Sequence, residues 1–318
     1  MELNLLKPVL VLGLMQAGMY GLLPISVVLS YRISRTIAFV HGGLAIFGAL
    51  AYEVLISGSA RGGLVGALFP VLDPLPATFF VLCIGAVLGA AYGSLVMARR
   101  VAQLPGMVLT VLSLGLMLLT IAVTGRFVRP AGVDAGLGQV APTPFGDGGV
   151  SIWGQVVTAH RFATLLIVLG LVLVLALILN RTYTGLAIRA IADDLEASVW
   201  CGTKLRLIGT GVYAVAGAVS AMAGALFVAT VAAGVEGILL LFMRGLVIAL
   251  VGGMRSVPLA LAGALLFGVL DTALQVGFFG EIGGGRQEFM LSAAMMGLIL
   301  LIARTRKESF FLLGRPSL

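Results

Sequence analysis

The residues RFATLLIVLGLVLVLALILNRTYTGLAIRAIADDLEASVWCGTK, numbered 161–204, decide the fold. After Arg161 no charge appears until Arg181, a run long enough, as a helix, to cross a hydrocarbon core of about 30 Å. The chain then turns polar. Residues 185–204 hold Asp193, Asp194 and Glu196, three of its 13 acids. A lipid-length span followed by a short amphipathic helix is the unit to be explained.

The rest of the chain supplies more spans of the first kind. It is 60% hydrophobic and only 10% charged, with a mean hydropathy of +1.15. Inside lipid every backbone amide needs a partner, so such runs must be helices or a closed barrel. The short alternating segments of a barrel are missing from the sequence. The fold class expected is therefore all-α, a polytopic bundle of about 8–10 membrane helices, with residues 1–318 forming one membrane domain. Only Lys7 precedes much of the first apolar run, which is too long for the core of a signal peptide, so that run is expected to remain as a helix. Cys83 and Cys201 are read as small apolar fillers rather than a disulfide or metal pair.

Nine spans are expected, near 8–30, 36–57, 77–98, 107–124, 161–180, 206–232, 238–254, 258–278 and 287–303. The stretch 36–72 holds Gly62, Gly63 and Pro70, and Asp73, Pro74 and Pro76 follow it. It has room for a re-entrant segment or a further short helix near 62–72. Orientation follows from the basic residues. With residues 182–205 in the cytoplasm, Arg32, Arg35, Arg99, Arg100, Arg181, Arg189, Lys204, Arg206, Arg255, Arg304, Arg306, Lys307 and Arg315 fall inside. Lys7, Arg61, Arg126, Arg129, Arg161 and Arg286 fall outside, and Arg244 lies within a span. The N-terminus is then external and the C-terminus cytoplasmic. The net charge of +7 reads as a topology signal, and the basic face of a nucleic-acid-binding module is not present.

The longest external segment is 126–160. It includes RPAGVDAGLGQVAPTPFGDGGV and is either a plain connection or a contact for an external partner. Gly85, Gly89 and Gly93 share one helical face, as do Gly217, Ala221 and Ala225. Small residues at this spacing let helices approach closely in lipid, so they predict packing and say nothing of cargo.

Read as one helix, the polar stretch places Ile188, Ile191, Ala192, Leu195 and Val199 on one stripe. Arg189, Asp193, Glu196 and Trp200 fall on a neighbouring face, with Arg189 and Asp193 spaced to pair. Thr182 or Thr184 is placed to cap its start, and Gly202 to end it. An apolar stripe beside an acidic, aromatic-tipped face suits docking in a groove of another protein. The alternative is a helix lying flat on the bilayer, but such helices usually present Lys and Arg to the lipid.

A resemblance sharpens this reading. GLAIRAIADDLEASVWCGTKLRLI (185–208) resembles the cytoplasmic coupling segment of ABC importer permeases of the branched-chain amino acid and urea type. GVYAVAGAVSAMAGALF (211–227) is similar to the small-residue span that follows it in that family. GILLLFMRGLVIALVGGMRSVPLALAGALLFGVLDT (237–272) resembles the later Gly-Gly-x-Gly-Ser-x-Pro-Gly-Ala signature, and IAFVHGGLAIFGA (37–49) resembles an early Phe-Ala-His-Gly segment. The chain departs from the pattern at Arg255 and Leu259, where glycines are usual, and at Asp271, where Glu is common.

The resemblance implies a permease subunit that does no covalent chemistry. It would work with a second permease subunit, usually a different chain, with ATP-binding cassette subunits and with an external solute-binding protein. ATP and Mg would sit on the cassettes, and this chain has no Gly-x-x-x-x-Gly-Lys-[Ser/Thr] phosphate loop of its own. Arg189, Asp193, Asp194, Leu195, Glu196, Val199 and Gly202 would form the coupling segment in the bacterial or archaeal cytoplasmic membrane. The cargo classes implied are branched-chain or other amino acids, urea and amides. A sugar-type ABC permease and a secondary transporter without an ATPase remain the alternatives.

Ionisable groups inside the spans are the candidates for the pathway. Arg244 sits in LLLFMRGLVIAL, with Glu236 two turns earlier. It either meets a polar cargo group, forms a structural ion pair or snorkels outward. His41 either shapes a broken helix at the pathway or packs as a polar core residue. Asp271 is read first as a hydrogen-bond partner between helices and second as a pathway residue.

Overall fold

A computed structural model describes residues 2–57, 71–98, 101, 104–127, 141–146, 148–231, 234–254, 256–276, 289–294, 296–297 and 300. Ten helices and one hairpin are defined among the described residues: α1 (Glu2–Ser34), α2 (Val40–Ser57), α3 (Pro74–Val96), α4 (Gly106–Phe127), β1 (Gly149–Ile152), β2 (Gln155–Thr158), α5 (Ala159–Arg181), α6 (Tyr183–Asp193), α7 (Leu195–Trp200), α8 (Leu205–Val228), α9 (Val235–Val251) and α10 (Val257–Gln275). Six of them, α1, α3, α4, α5, α8 and α10, are long and apolar enough to cross a membrane. The shorter apolar helices α2 and α9 pack among them, so the chain is an all-α, multi-pass helical bundle. Of the last expected span, 287–303, residues 289–294 are helical and much of the remainder lies outside the described residues. The further helix expected near 62–72 also lies almost wholly outside them.

The bundle is arranged by how apolar its helices are, in the opposite sense to a soluble protein. α1 and α8 are less apolar than α3, α4 and α5, yet they are the most deeply buried. Lipid solvates Leu and Val as well as a protein core does, so burial goes to helices with small or polar side chains. α5 meanwhile leaves Leu166, Leu173 and Leu177 exposed, and α4 leaves Val111, Leu118 and Leu119 exposed. α8 packs most extensively on α3, and the two small-residue faces meet there. A Cβ on Gly217 would lie 2.5 Å from the Gly85 carbonyl oxygen, and one on Gly85 would lie 2.5 Å from the Ala221 Cβ. α8 also meets α2, where Gly224 admits the backbone of Ala45.

α1 is longer than expected, 33 residues or about 50 Å of helix. It ends where Arg35 takes a left-handed backbone, φ 51°. The expected span from residue 36 therefore begins only at Val40, after a non-helical break. The break is held by α4: Ser113 Oγ accepts from the Phe39 amide (3.1 Å) and shares its one proton between the Thr110 carbonyl (2.7 Å) and the Ile37 carbonyl (3.1 Å). Irregular backbone beside membrane helices is tolerated where protein groups satisfy it in this way.

The two ends of the bundle differ. The lower end carries α6 and α7, which join α5 to α8. The upper end carries the described part of 126–160. Within that loop an antiparallel hairpin pairs Gly149 with Thr158 and Ile152 with Gln155. Trp153 (φ 52°) and Gly154 (φ 80°) supply the two positive φ angles that a tight hairpin turn needs. Tyr52 donates to the Pro142 carbonyl (2.8 Å), and His160 Nε2 bonds the Leu226 carbonyl (3.1 Å), so the loop is fastened to α2 and α8. Cys83 and Cys201 are free and both exposed.

Candidate functional site

The lower-end segment is built by its capping residues. Thr182 Oγ1 accepts from the Gly185 amide (3.2 Å) and so starts α6, in agreement with one of the two caps expected. Gly185 lets the chain turn back on α5, because a Cβ there would sit 2.6 Å from the Leu179 carbonyl carbon. Ile188 and Ile191 are buried, and α6 packs against α1, α5 and α8.

The continuous helix expected through 185–200 is broken at Asp194. This residue is extended (φ −147°, ψ 111°), and its amide still closes α6 on the Ala190 carbonyl (3.0 Å). Its carboxylate accepts from the Ala197 amide (3.0 Å) and so caps α7. An Asp gains more by capping than by sitting inside a helix, which is why the acidic pair marks a joint. The single stripe running from Ile188 to Val199 is therefore not formed as one helical face. Its first half packs on the chain's own bundle. The side chains of Leu195, Glu196 and Val199 lie outside the described ones. Gly202 (φ 85°) ends α7 as expected, with the Thr203 amide returning to the Ser198 carbonyl (3.1 Å).

What the segment presents outward is polar and aromatic, with Leu186 as an exposed aliphatic residue among them. Asp193, Asp194 and Arg189 are exposed, and Trp200 is 89% exposed. The cation that reaches the end of α6 is Arg35, from the break after α1. Its guanidinium donates to the carbonyl oxygens of Ala192 and Asp193, the latter at 3.1 Å.

Deeper in the bundle, the two charged pathway candidates are joined by a residue the sequence reading did not single out. Arg244 on α9 donates to the Tyr20 hydroxyl (2.9 Å), and that hydroxyl donates to the Asp271 carboxylate on α10 (2.8 Å). Gln275 donates to the same carboxylate oxygen (2.9 Å), and Gln16 reaches the Tyr20 hydroxyl (3.3 Å). Tyr20 and Asp271 are both 3% exposed. Opposite charges on two helices are thus bridged by a phenol on a third, which fits the expected role of Asp271 between helices. Glu236, considered as a partner for Arg244, sits exposed in the first turn of α9. The only sequence signal for Tyr20 was weak: a Gln and a Tyr four apart in an apolar run.

His41 stands apart from this network, fully buried in the first turn of α2. Ser220 on α8 donates to the Ala216 carbonyl (2.8 Å), so His41 Nδ1 donates to Ser220 Oγ (3.0 Å). Nε2 is then an acceptor without a partner among the described residues. The His41 ring stacks on Tyr213 (centroids 6.3 Å apart, 9° between planes). Phe39, two residues before His41, lies against Phe242 (6.1 Å), two residues before Arg244 on α9.

The family described as branched-chain amino acid transport system / permease component matches residues 9–304. A relative from Pseudomonas aeruginosa, the high-affinity branched-chain amino acid transport system permease protein BraD, is 24% identical over 311 residues, covering 96% of this chain and 95% of the relative. No solved structure matches the chain. With nearly its whole length matched, the chain belongs to the branched-chain amino acid transport system permease family, the membrane component of such a system.

Proposed function

We propose that this chain is a permease subunit of an ATP-driven importer for branched-chain amino acids or similar small polar solutes, with residues 182–205 as the lever gripped by a separate ATP-binding cassette subunit. The observation that carries the proposal is the geometry of that segment. Two short, individually capped helices join α5 to α8, rest on buried Ile188 and Ile191, and hold Trp200 and two carboxylates clear of the bundle. Such a surface fits a groove on a partner better than an anionic bilayer.

ATP and Mg would bind on the cassette, since this chain has no phosphate loop. The lower end would face the cytoplasm and the hairpin end the outside, in the inner membrane, as the basic residues direct. The hairpin would then be placed to meet a solute-binding protein, with Trp153 70% exposed at its tip. A second permease subunit would complete the pathway. Arg244, Asp271 and His41 are the candidates for lining it, and the name of the relative supports branched-chain amino acids as cargo.

The test is purification of the tagged chain from its native membrane in mild detergent. The expected result is a complex with stoichiometric cassette subunits that hydrolyses ATP. A chain that purifies without an ATPase, and drives uptake from an ion gradient alone, would be a secondary transporter instead.

A further inference from the structure

Arg35 occupies the position just after α1 where the backbone turns left-handed, φ 51°, its amide still bonded to the Tyr31 carbonyl (2.8 Å). Glycine is the usual residue there, because a Cβ is unfavourable in that conformation. An arginine held in it is an outlier that calls for a use of the side chain. The use is visible. The guanidinium crosses to the far end of α6 and donates to the last carbonyls of that helix, at Ala192 and Asp193. A cation at a helix C-terminus also meets the negative end of the helix dipole.

Arg35 is therefore covalently part of the α1–α2 break and non-covalently part of the lower-end segment. From the break the contacts continue inward. Ile37 and Phe39 are pinned to Ser113, Phe39 packs on Phe242, and α9 carries Arg244 to Tyr20 and Asp271.

We propose that Arg35 is a positioning residue that transmits movement of the 182–205 segment to the start of α2, and so to the candidate pathway. This rests on the reading of that segment as the lever for an ATPase. Contacts in series do not by themselves show coupling, so the test must read transmission rather than proximity.

The informative variant is Arg35→Gly, which suits φ 51° and removes only the side chain. In the complete complex reconstituted in liposomes, Arg35→Gly is expected to keep its cassette subunits and its ATPase activity while uptake per ATP falls about ten-fold, the ratio set by losing one interaction of ordinary strength. Arg35→Lys should recover part of the loss, since it keeps the charge but not the fork. As a second readout, a single cysteine replacing Ile37 should change its labelling rate between nucleotide-free and vanadate-trapped states, and should stop doing so in the Arg35→Gly background. Parental uptake per ATP in Arg35→Gly would overturn the proposal, as would nucleotide-independent labelling of the cysteine in the parent. Loss of the cassette from Arg35→Gly would also overturn it, making Arg35 a docking determinant instead. Failure of the underlying reading looks different: the parent complex itself would then contain no cassette.

Discussion

Tyr20 carries a single hydroxyl that serves a guanidinium, a carboxylate and an amide. Tyr20→Phe removes only that oxygen and leaves Arg244 and Asp271 without their bridge. Hydrogen bonds to charged groups are worth about 1.5–3 kcal/mol, whereas neutral ones between membrane helices average about 0.6 kcal/mol. The charged value applies here, so Tyr20→Phe should lower the thermal stability of the detergent-solubilised protein measurably, by about 1.5–3 kcal/mol. Arg244 adds a functional question to the structural one. Arg244→Ala should abolish uptake with assembly intact, and Arg244→Lys should retain more, if the charge meets cargo; normal uptake by the Ala variant would leave Arg244 a purely structural residue. Arg244 and Asp271 were legible in the sequence, because a charge in an apolar run always needs an explanation. Their connection was not. It depends on a tyrosine 251 positions from Asp271, and tyrosines are common in membrane helices.

At the level of elements, glycine spacing was the more reliable guide. Gly85, Gly89 and Gly93 meet the Gly217 face of α8, as their four-residue period implied. Gly170 and Gly211 have open space around their Cβ positions. Gly89→Val should therefore destabilise the bundle by about 3 kcal/mol or more, through overpacking of two backbones, while Gly170→Ala should be close to neutral. Thermal unfolding of the two variants side by side separates a packing glycine from one that merely faces outward. The polar segment was less completely legible. Its caps at Thr182 and Gly202 could be read from residue type, but the joint at Asp194 could not. A helical period and a cap residue compete at that position, and local hydrogen bonding wins. The exposed Trp200 gives the docking test for this element. Trp200→Ala leaves no cavity in the chain's own core. If Trp200 anchors the partner, the variant should lose cassette affinity by about ten-fold or more, read as ATPase subunits recovered per permease. Full recovery would return the segment to the role of an interfacial helix.

For the whole molecule, the first eight spans expected from apolar runs each fall on a helix, with the first helix longer than expected and one consequential difference. The second span starts late because Arg35 and the break held by Ser113 intervene. Hydropathy averages over such a break and cannot detect it. Orientation rests on the basic residues and is open to direct test. In a chain carrying Cys83→Ala and Cys201→Ala, a cysteine replacing Ser151 in the hairpin should react with a membrane-impermeant maleimide in intact cells. One replacing Ala190 on α6 should react only after lysis, and the reverse pattern would invert the topology.

The central claim, import powered from the face that carries residues 182–205, calls for one vectorial measurement. The purified complex is placed in liposomes, its orientation is set by the Ala190 label, and ATP is supplied to one face only while labelled leucine and the solute-binding protein are supplied to the other. The account predicts that leucine accumulates on the side of residues 182–205, and only when ATP is on that same side. Accumulation with ATP on the opposite face, or without ATP under an ion gradient, would contradict it.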